Sequence, residues 1–233
     1  MATSDKNTEW NTVLLGEALV FELVGRLLYA ELDRAWLQSL LSQDVFDDVP
    51  FGAEQEETKL GLELLQKWAK ENRTELKDAA FDELRVDYTR LFVGVGKVLA
   101  PPWESVYFGE DRMVFQERTL QVRSWYRRFG LEPEKLYKEP DDHIGLELLF
   151  LAQLARLGLQ ALEENNQARF DECLLAQSQF AVEHPLKWVS AWAGLVEANA
   201  KTDFYRGLAR LTHGALLALA EQLEIKMPKE VSR

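Results

Sequence analysis

The run Glu139-Pro140-Asp141-Asp142-His143 gathers three carboxylates and an imidazole within five positions. Such a set can share a divalent cation, relay a proton, or grip a guanidinium through forked, charge-assisted hydrogen bonds. A plainer use competes with all three. The run opens a long apolar period, and a carboxylate at a helix start accepts first-turn N–H groups and suits the helix dipole. Capping accounts for Asp141 or Asp142 but not for His143, whose imidazole, when charged, gains nothing from that end of the dipole. A neighbouring carboxylate would restore its proton affinity. The other histidines, His184 and His213, are distant in sequence, and no zinc, phosphate-loop or nucleophile-elbow signature accompanies them. Ser105 lies in no triad context. The expectation is a binding protein without catalytic residues, metal or cofactor, with a nucleotide- or metal-dependent hydrolase built on the acidic turn as the alternative from another class.

A second constellation, Pro101-Pro102-Trp103-Glu104-Ser105-Val106-Tyr107, joins a stiff polyproline-like start to two large aromatics. Two readings stay open. Trp103 and Tyr107 fold back on the domain's own core and pin the loop, or they join Tyr88, Leu91 and Phe92 as walls of a groove for an apolar peptide. His184 and Trp188, four apart, share a helix face and are either a helix start with a packed Trp or a secondary part of the same site.

The elements that must position these groups are helical. Trp10, Val13, Leu14, Ala18, Phe21, Val24 and Leu28 fall on one face, as do Phe81, Leu84, Tyr88, Leu91 and Phe92, and neither set alternates like a strand. The same period predicts helices over 9–30, 33–43, 54–71, 77–93, 113–129, 142–164, 166–182, 185–200 and 203–225. The fold class is therefore all-α: a single globular domain over 1–233 of about nine helices. The long loop 93–111 carries the proline pair and three glycines, and 130–141 is read as a hinge between two lobes. Such a hinge would permit exchange of lobes, so a monomer and a swapped dimer are both consistent with it.

Composition narrows the partners. The chain has 233 residues, 47% of them apolar, and a formal net charge of −12. That charge disfavours nucleic acid and anionic membranes and favours a basic partner. Acid is densest at 44–57, where Asp44, Asp47, Asp48, Glu54, Glu56 and Glu57 occur without a Lys or Arg. That segment is read as a solvated, mobile loop, with a partner-binding patch as the alternative. The single cysteine, Cys173, and the lack of a basic-then-apolar start suit a cytoplasmic protein. The most apolar stretch, 148–162, is interrupted by Gln153 and Arg156; it reads as a core helix, with no stable membrane insertion expected.

The two motifs, D-Y-T-R-L-F-V-G over 87–94 continuing into P-P-W-E-S-V-Y, and E-P-D-D-H, resemble the TorD/DmsD family of redox-enzyme maturation chaperones. The resemblance is clear over about 81–212 and rests on helical character alone before that. It implies a helical chaperone that holds the catalytic-subunit precursor of a molybdenum oxidoreductase, often through its twin-arginine signal peptide, until its cofactor is inserted. An assembly chaperone for a client without that signal is the alternative within the family. The resemblance also implies that Asp142 and His143 belong to the peptide site. Asp142, with Asp141 beside it, would pair with an arginine of the client, and His143 would orient it. Pro101, Pro102, Trp103, Tyr107, Tyr88, Leu91 and Phe92 would take the apolar segment, with His184 and Trp188 as secondary candidates. The chain departs from the family after Gly94, where Val95-Gly96-Lys97 replaces the common Gly-Pro and puts glycine at a position aromatic in some relatives. A shallower groove, or one tuned to another peptide, follows.

Overall fold

The computed structural model describes residues 2–94, 97–108, 117–132 and 139–229, with side chains from residue 8 onward. Ten α-helices are described: α1 (Ala2–Tyr29), α2 (Arg34–Ser42), α3 (Glu56–Asn72), α4 (Asp78–Tyr88), α5 (Ser105–Phe108), α6 (Glu117–Arg128), α7 (Ile144–Glu163), α8 (Gln167–Glu183), α9 (Val189–Asn199) and α10 (Asp203–Gln222). Nine of the ten exceed a single turn, the number the apolar period predicts, and no strand occurs among the described residues. A π-helical turn (Thr89–Val93) continues α4, and a 3-10 turn (Pro185–Lys187) precedes α9. Both replace parts of what the periodicity reads as unbroken helices at 77–93 and 185–200. Pro185 parts the 3-10 turn from α8, because it cannot donate to the preceding turn, and the step into α9 falls at Trp188.

The core is built on α7. Its residues Ile144, Leu148, Leu151, Ala152 and Leu154 are essentially inaccessible, and α1 packs along one side and α8 along another. This is the one described helix long and apolar enough to cross a membrane, and its neighbours cover it instead. The α1–α7 approach depends on two facing glycines. A Cβ on Gly145 would lie 2.7 Å from the Gly25 carbonyl, and one on Gly25 would lie 2.9 Å from the Gly145 carbonyl. That contact sets Tyr29, one turn on from Gly25, against the start of α7.

One hydrophobic core joins residues from Val20 to Ala220, so elements on both sides of 130–141 share it. Separate lobes are thus not what the packing shows; half of the predicted hinge, 133–138, lies outside the described residues, as do 113–116 of the helix predicted at 113–129. The acidic segment differs from the expected mobile loop. Phe46, Val49 and Phe51 are buried, Arg73 pairs with Asp44 at 2.9 Å and Asp47 at 2.6 Å, and Gln66 donates to the Asp47 carbonyl at 2.8 Å. Apolar residues spaced among the acids anchor the segment. Between α1 and α8 a polar pair is buried: Gln177 Nε2 donates to Glu17 Oε2 at 2.9 Å. The other oxygens of both side chains find no hydrogen-bond partner among the described residues, and burial pushes the Glu17 carboxyl up to about 7.

Candidate functional site

The two motifs meet in space. Residues 102–105 run antiparallel to 142–144: the Ile144 N–H donates to the Pro102 carbonyl at 2.8 Å, and the Glu104 N–H donates to the Asp142 carbonyl at 2.9 Å, with Trp103 opposite His143. The loop can turn back because Gly94 closes the π turn at a φ of 73°, a conformation that glycine adopts without steric cost. Ala100 then donates its N–H to the Leu91 carbonyl at 2.9 Å. Residues 95–96, where the sequence departs from its relatives, lie outside the described residues.

Asp141, Asp142 and His143 of the E-P-D-D-H turn each have an internal task. Asp142 is fully buried; its Oδ2 accepts the Ser105 N–H at 2.7 Å and its Oδ1 the Thr119 hydroxyl at 2.8 Å. Asp141, equally buried, holds the Arg123 guanidinium at 2.6 and 3.2 Å, while its carbonyl accepts the Tyr126 hydroxyl at 3.0 Å. The helix cap is His143, not Asp141 or Asp142. Its Nδ1 accepts the Gly145 N–H at 3.0 Å, which places the ring proton on Nε2. The imidazole packs edge-on to Tyr29 and Trp103, with ring centres 5.4 and 6.1 Å away. A cap needs only a lone pair aimed at the first turn, and a neutral imidazole has one.

Behind the turn lies a second layer of buried charge. Glu104 Oε2 sits 2.8 Å from Nδ1 of His184, and its other oxygen lies 3.5 Å from the Arg118 guanidinium. Glu147, four residues after His143, accepts the Trp188 indole N–H at 3.3 Å. Burial first, then the charges of Glu104 and Asp142, hold the Glu147 carboxyl well above the usual carboxylate range. Asp142, Glu104 and Glu147 thus share one interior, and their mutual repulsion favours the protonated form of the last. The motif reading does not single out Arg118, Thr119, Arg123 or Glu147. Glu147 alone carries a signal in the sequence, an acid inside the apolar stripe of Ile144, Leu148 and Leu151.

The aromatics divide differently from the groove expectation. Leu91 and Phe92 are at most 2% exposed, Tyr88 and Tyr107 are 7% exposed, and Pro102 is buried. Phe92 stacks against Trp192 and meets Tyr205, and Tyr107 packs on Trp188 while its hydroxyl donates to the Pro101 carbonyl at 2.9 Å. These residues pin the loop to the core rather than wall an open groove. Their i, i+3, i+4 spacing is what any core-facing helix stripe requires. Trp188 and His184 are buried too, as parts of the network. Of the motif aromatics, Trp103 is half-buried, and its indole N–H finds no acceptor among the described residues. Pro101 and Tyr29 are partly exposed beside it, and the charges of Glu139 and Glu31 both act on Tyr88 at the base of this edge. On the outer side of α4 and its π turn, Val86 and Val93 are 60% and 56% exposed.

These features define a class: a helical scaffold in which buried carboxylates and guanidinium groups immobilise a proline-rich loop and leave one aromatic edge at the surface. The model of the family described as nitrate reductase delta subunit matches residues 53–194, most of the chain. The protein belongs to that family, within its TorD/DmsD group. The match begins just ahead of α3, well before the motifs that carry the sequence resemblance. A relative named Tat proofreading chaperone DmsD, from Salmonella paratyphi A, is 32% identical over 138 residues, 59% of this chain and 61% of that protein. A probable Tat proofreading chaperone DmsD from Haemophilus influenzae is 28% identical over 71% of this chain and 68% of its own length. The chaperone protein TorD of Shewanella pealeana is 26% identical over 97% of this chain and 98% of that one. The chain thus spans about 61% of the length of the Salmonella relatives it matches.

Proposed function

We propose that the protein is a cytoplasmic, non-enzymatic maturation chaperone that binds the signal-peptide or N-terminal region of a molybdenum oxidoreductase catalytic subunit until its cofactor is inserted. Family membership and the relatives' names support the class, and the half-buried Trp103 carries the placement. Its ring lies at the edge of the structure beside His143, which Tyr29 also flanks, and its indole N–H lacks an acceptor among the described residues. An unpaired enclosed donor costs about 1–3 kcal/mol, and a carbonyl of an incoming peptide would offset that cost once the ring turned outward to meet it. Trp103, Pro101 and Tyr29 would take an apolar segment, and the carboxylates of Glu139 and of Glu31, the latter also paired with Arg85 at 2.6 Å, would draw its basic end. Asp142, Asp141 and His143 serve this site by holding the loop. Direct pairing of Asp142 with a client arginine requires residues 102–105 to lift from 142–144, because both of its oxygens are engaged.

The test is titration of a fluorescent twin-arginine signal peptide with the wild-type chain and with Trp103→Ala. The expected loss is about tenfold or more in affinity with the fold intact by circular dichroism. Unchanged affinity moves the site elsewhere. A peptide with both arginines replaced by alanine separates the two family readings: retained binding favours a client recognised without that signal.

A further inference from the structure

An apolar groove lies away from the motif edge. It has a volume of about 320 Å³ and runs between α1, α2 and the folded acidic segment, lined by Leu19, Leu23, Trp36, Leu40, Val45 and Val49. That is within the range of about 300–1,000 Å³ usual for occupied sites. Leu19 is 51% exposed on its rim, and Leu15, one turn earlier on α1, is 53% exposed. The apolar row therefore continues beyond the groove along α1. Ten residues separate Leu19 from Tyr29, about 15 Å along a helix, so one client could reach both places but one short segment would not fill both.

The rim charge selects the occupant. Asp44, Asp47 and Asp48 stand on the wall that supplies Val45 and Val49, and the Arg73 guanidinium that meets this wall is shared between Asp44 and Asp47. Asp48 lines the groove and is exposed. Arg26, the cation in the lining, lies over the Trp36 ring at 4.5 Å and shares Glu22, 3.8 Å away, with Arg156. A second copy of this chain, with its net charge of −12, would bring acid to acid. We propose that this groove docks an amphipathic helix of a partner protein that carries leucine-type side chains along one face and lysine or arginine beside them. The site is distinct from the Trp103 edge and does not depend on the chaperone reading.

The experiment uses the full chain with 15N-labelled tryptophan and an unlabelled peptide of about four helical turns, leucine on one face and lysine on its flanks. Binding should shift the Trp36 indole resonance. Leu19→Glu should weaken it about tenfold or more, and Leu175→Glu, at an equally exposed leucine on α8, should not. Asp48→Lys should weaken the lysine peptide and strengthen a glutamate-flanked version, a charge swap that a folding defect would not produce. Equal binding of the two peptides to the wild type, or equal binding to Leu19→Glu, would overturn the proposal. So would a shift confined to Trp103, or self-association by sedimentation that Leu19→Glu abolishes.

Discussion

The substitution Glu17→Gln should make the protein more stable at neutral pH and leave it nearly unchanged in mild acid. The carboxyl is buried between α1 and α8 with one hydrogen bond from Gln177, and burial raises it from the ordinary 4.5 to about 7. In the unfolded chain it ionises near the ordinary value. Folding therefore retains a proton that the unfolded state gives up, and the stability present below about 4.5 is lost as pH rises toward about 7. A displacement of that size, at about 1.36 kcal/mol per pH unit, amounts to roughly 3 kcal/mol. The replacement amide would carry no titrating proton, and its N–H would reach the Gln177 oxygen that now has no partner. Urea unfolding followed by tryptophan fluorescence, at steps from pH 4.5 to 8, should show the variant gaining up to roughly 3 kcal/mol by pH 8. At about 2–4 °C per kcal/mol, that is about 6–12 °C in Tm. A difference that does not vary with pH would refute the reasoning. So would a wild type that is the more stable at pH 8, because Glu17 would then be ionised and paired.

Amide substitutions should likewise sort the buried acids of the site. Asp142→Asn puts an amide against the Ser105 N–H and should destabilise by about 1–3 kcal/mol in urea unfolding. It should also weaken signal-peptide binding through the freed loop. Glu147→Gln replaces a carboxyl whose protonated form burial favours, so its unfolding midpoint near pH 6 should move by much less than that of Asp142→Asn. Gly25→Ala drives a Cβ against the Gly145 carbonyl and should cost about 1–3 kcal/mol, read as a lower Tm, with Tyr29 displaced from His143.

Helix positions were legible because apolar residues recur at a helical period, and that signal survives without knowledge of partners. The direction in which Tyr88, Leu91 and Phe92 face was not, since a core stripe and a groove wall have the same spacing. Asp142 shows the same limit for polar groups. Its type and place before an apolar run predict a cap, but its partners, Ser105 and Thr119, are 37 and 23 residues away, and nothing local announces them. His143 took the cap because the chain turns one residue later than the acids suggest. Sequence does mark the motifs that meet, 101–107 and 139–143, as unusual. It does not say that their acids face each other across a buried interface.

The network also dictates when the molecule can be finished. Glu104 leaves the ribosome 80 residues ahead of His184, its partner at 2.8 Å. At translation speeds of about 5–20 residues per second, that is a wait of about 4–16 s. For the first half of that interval the proline-rich loop lacks the α7 turn, and for all of it the loop lacks the His184–Trp188 wall against which its aromatic residues settle. We expect a nascent chain stalled before residue 184 to lack a fixed Trp103 edge. A protein proposed to delay a client until its assembly is complete would itself be unable to hold one until nearly four-fifths of its own length has been synthesised.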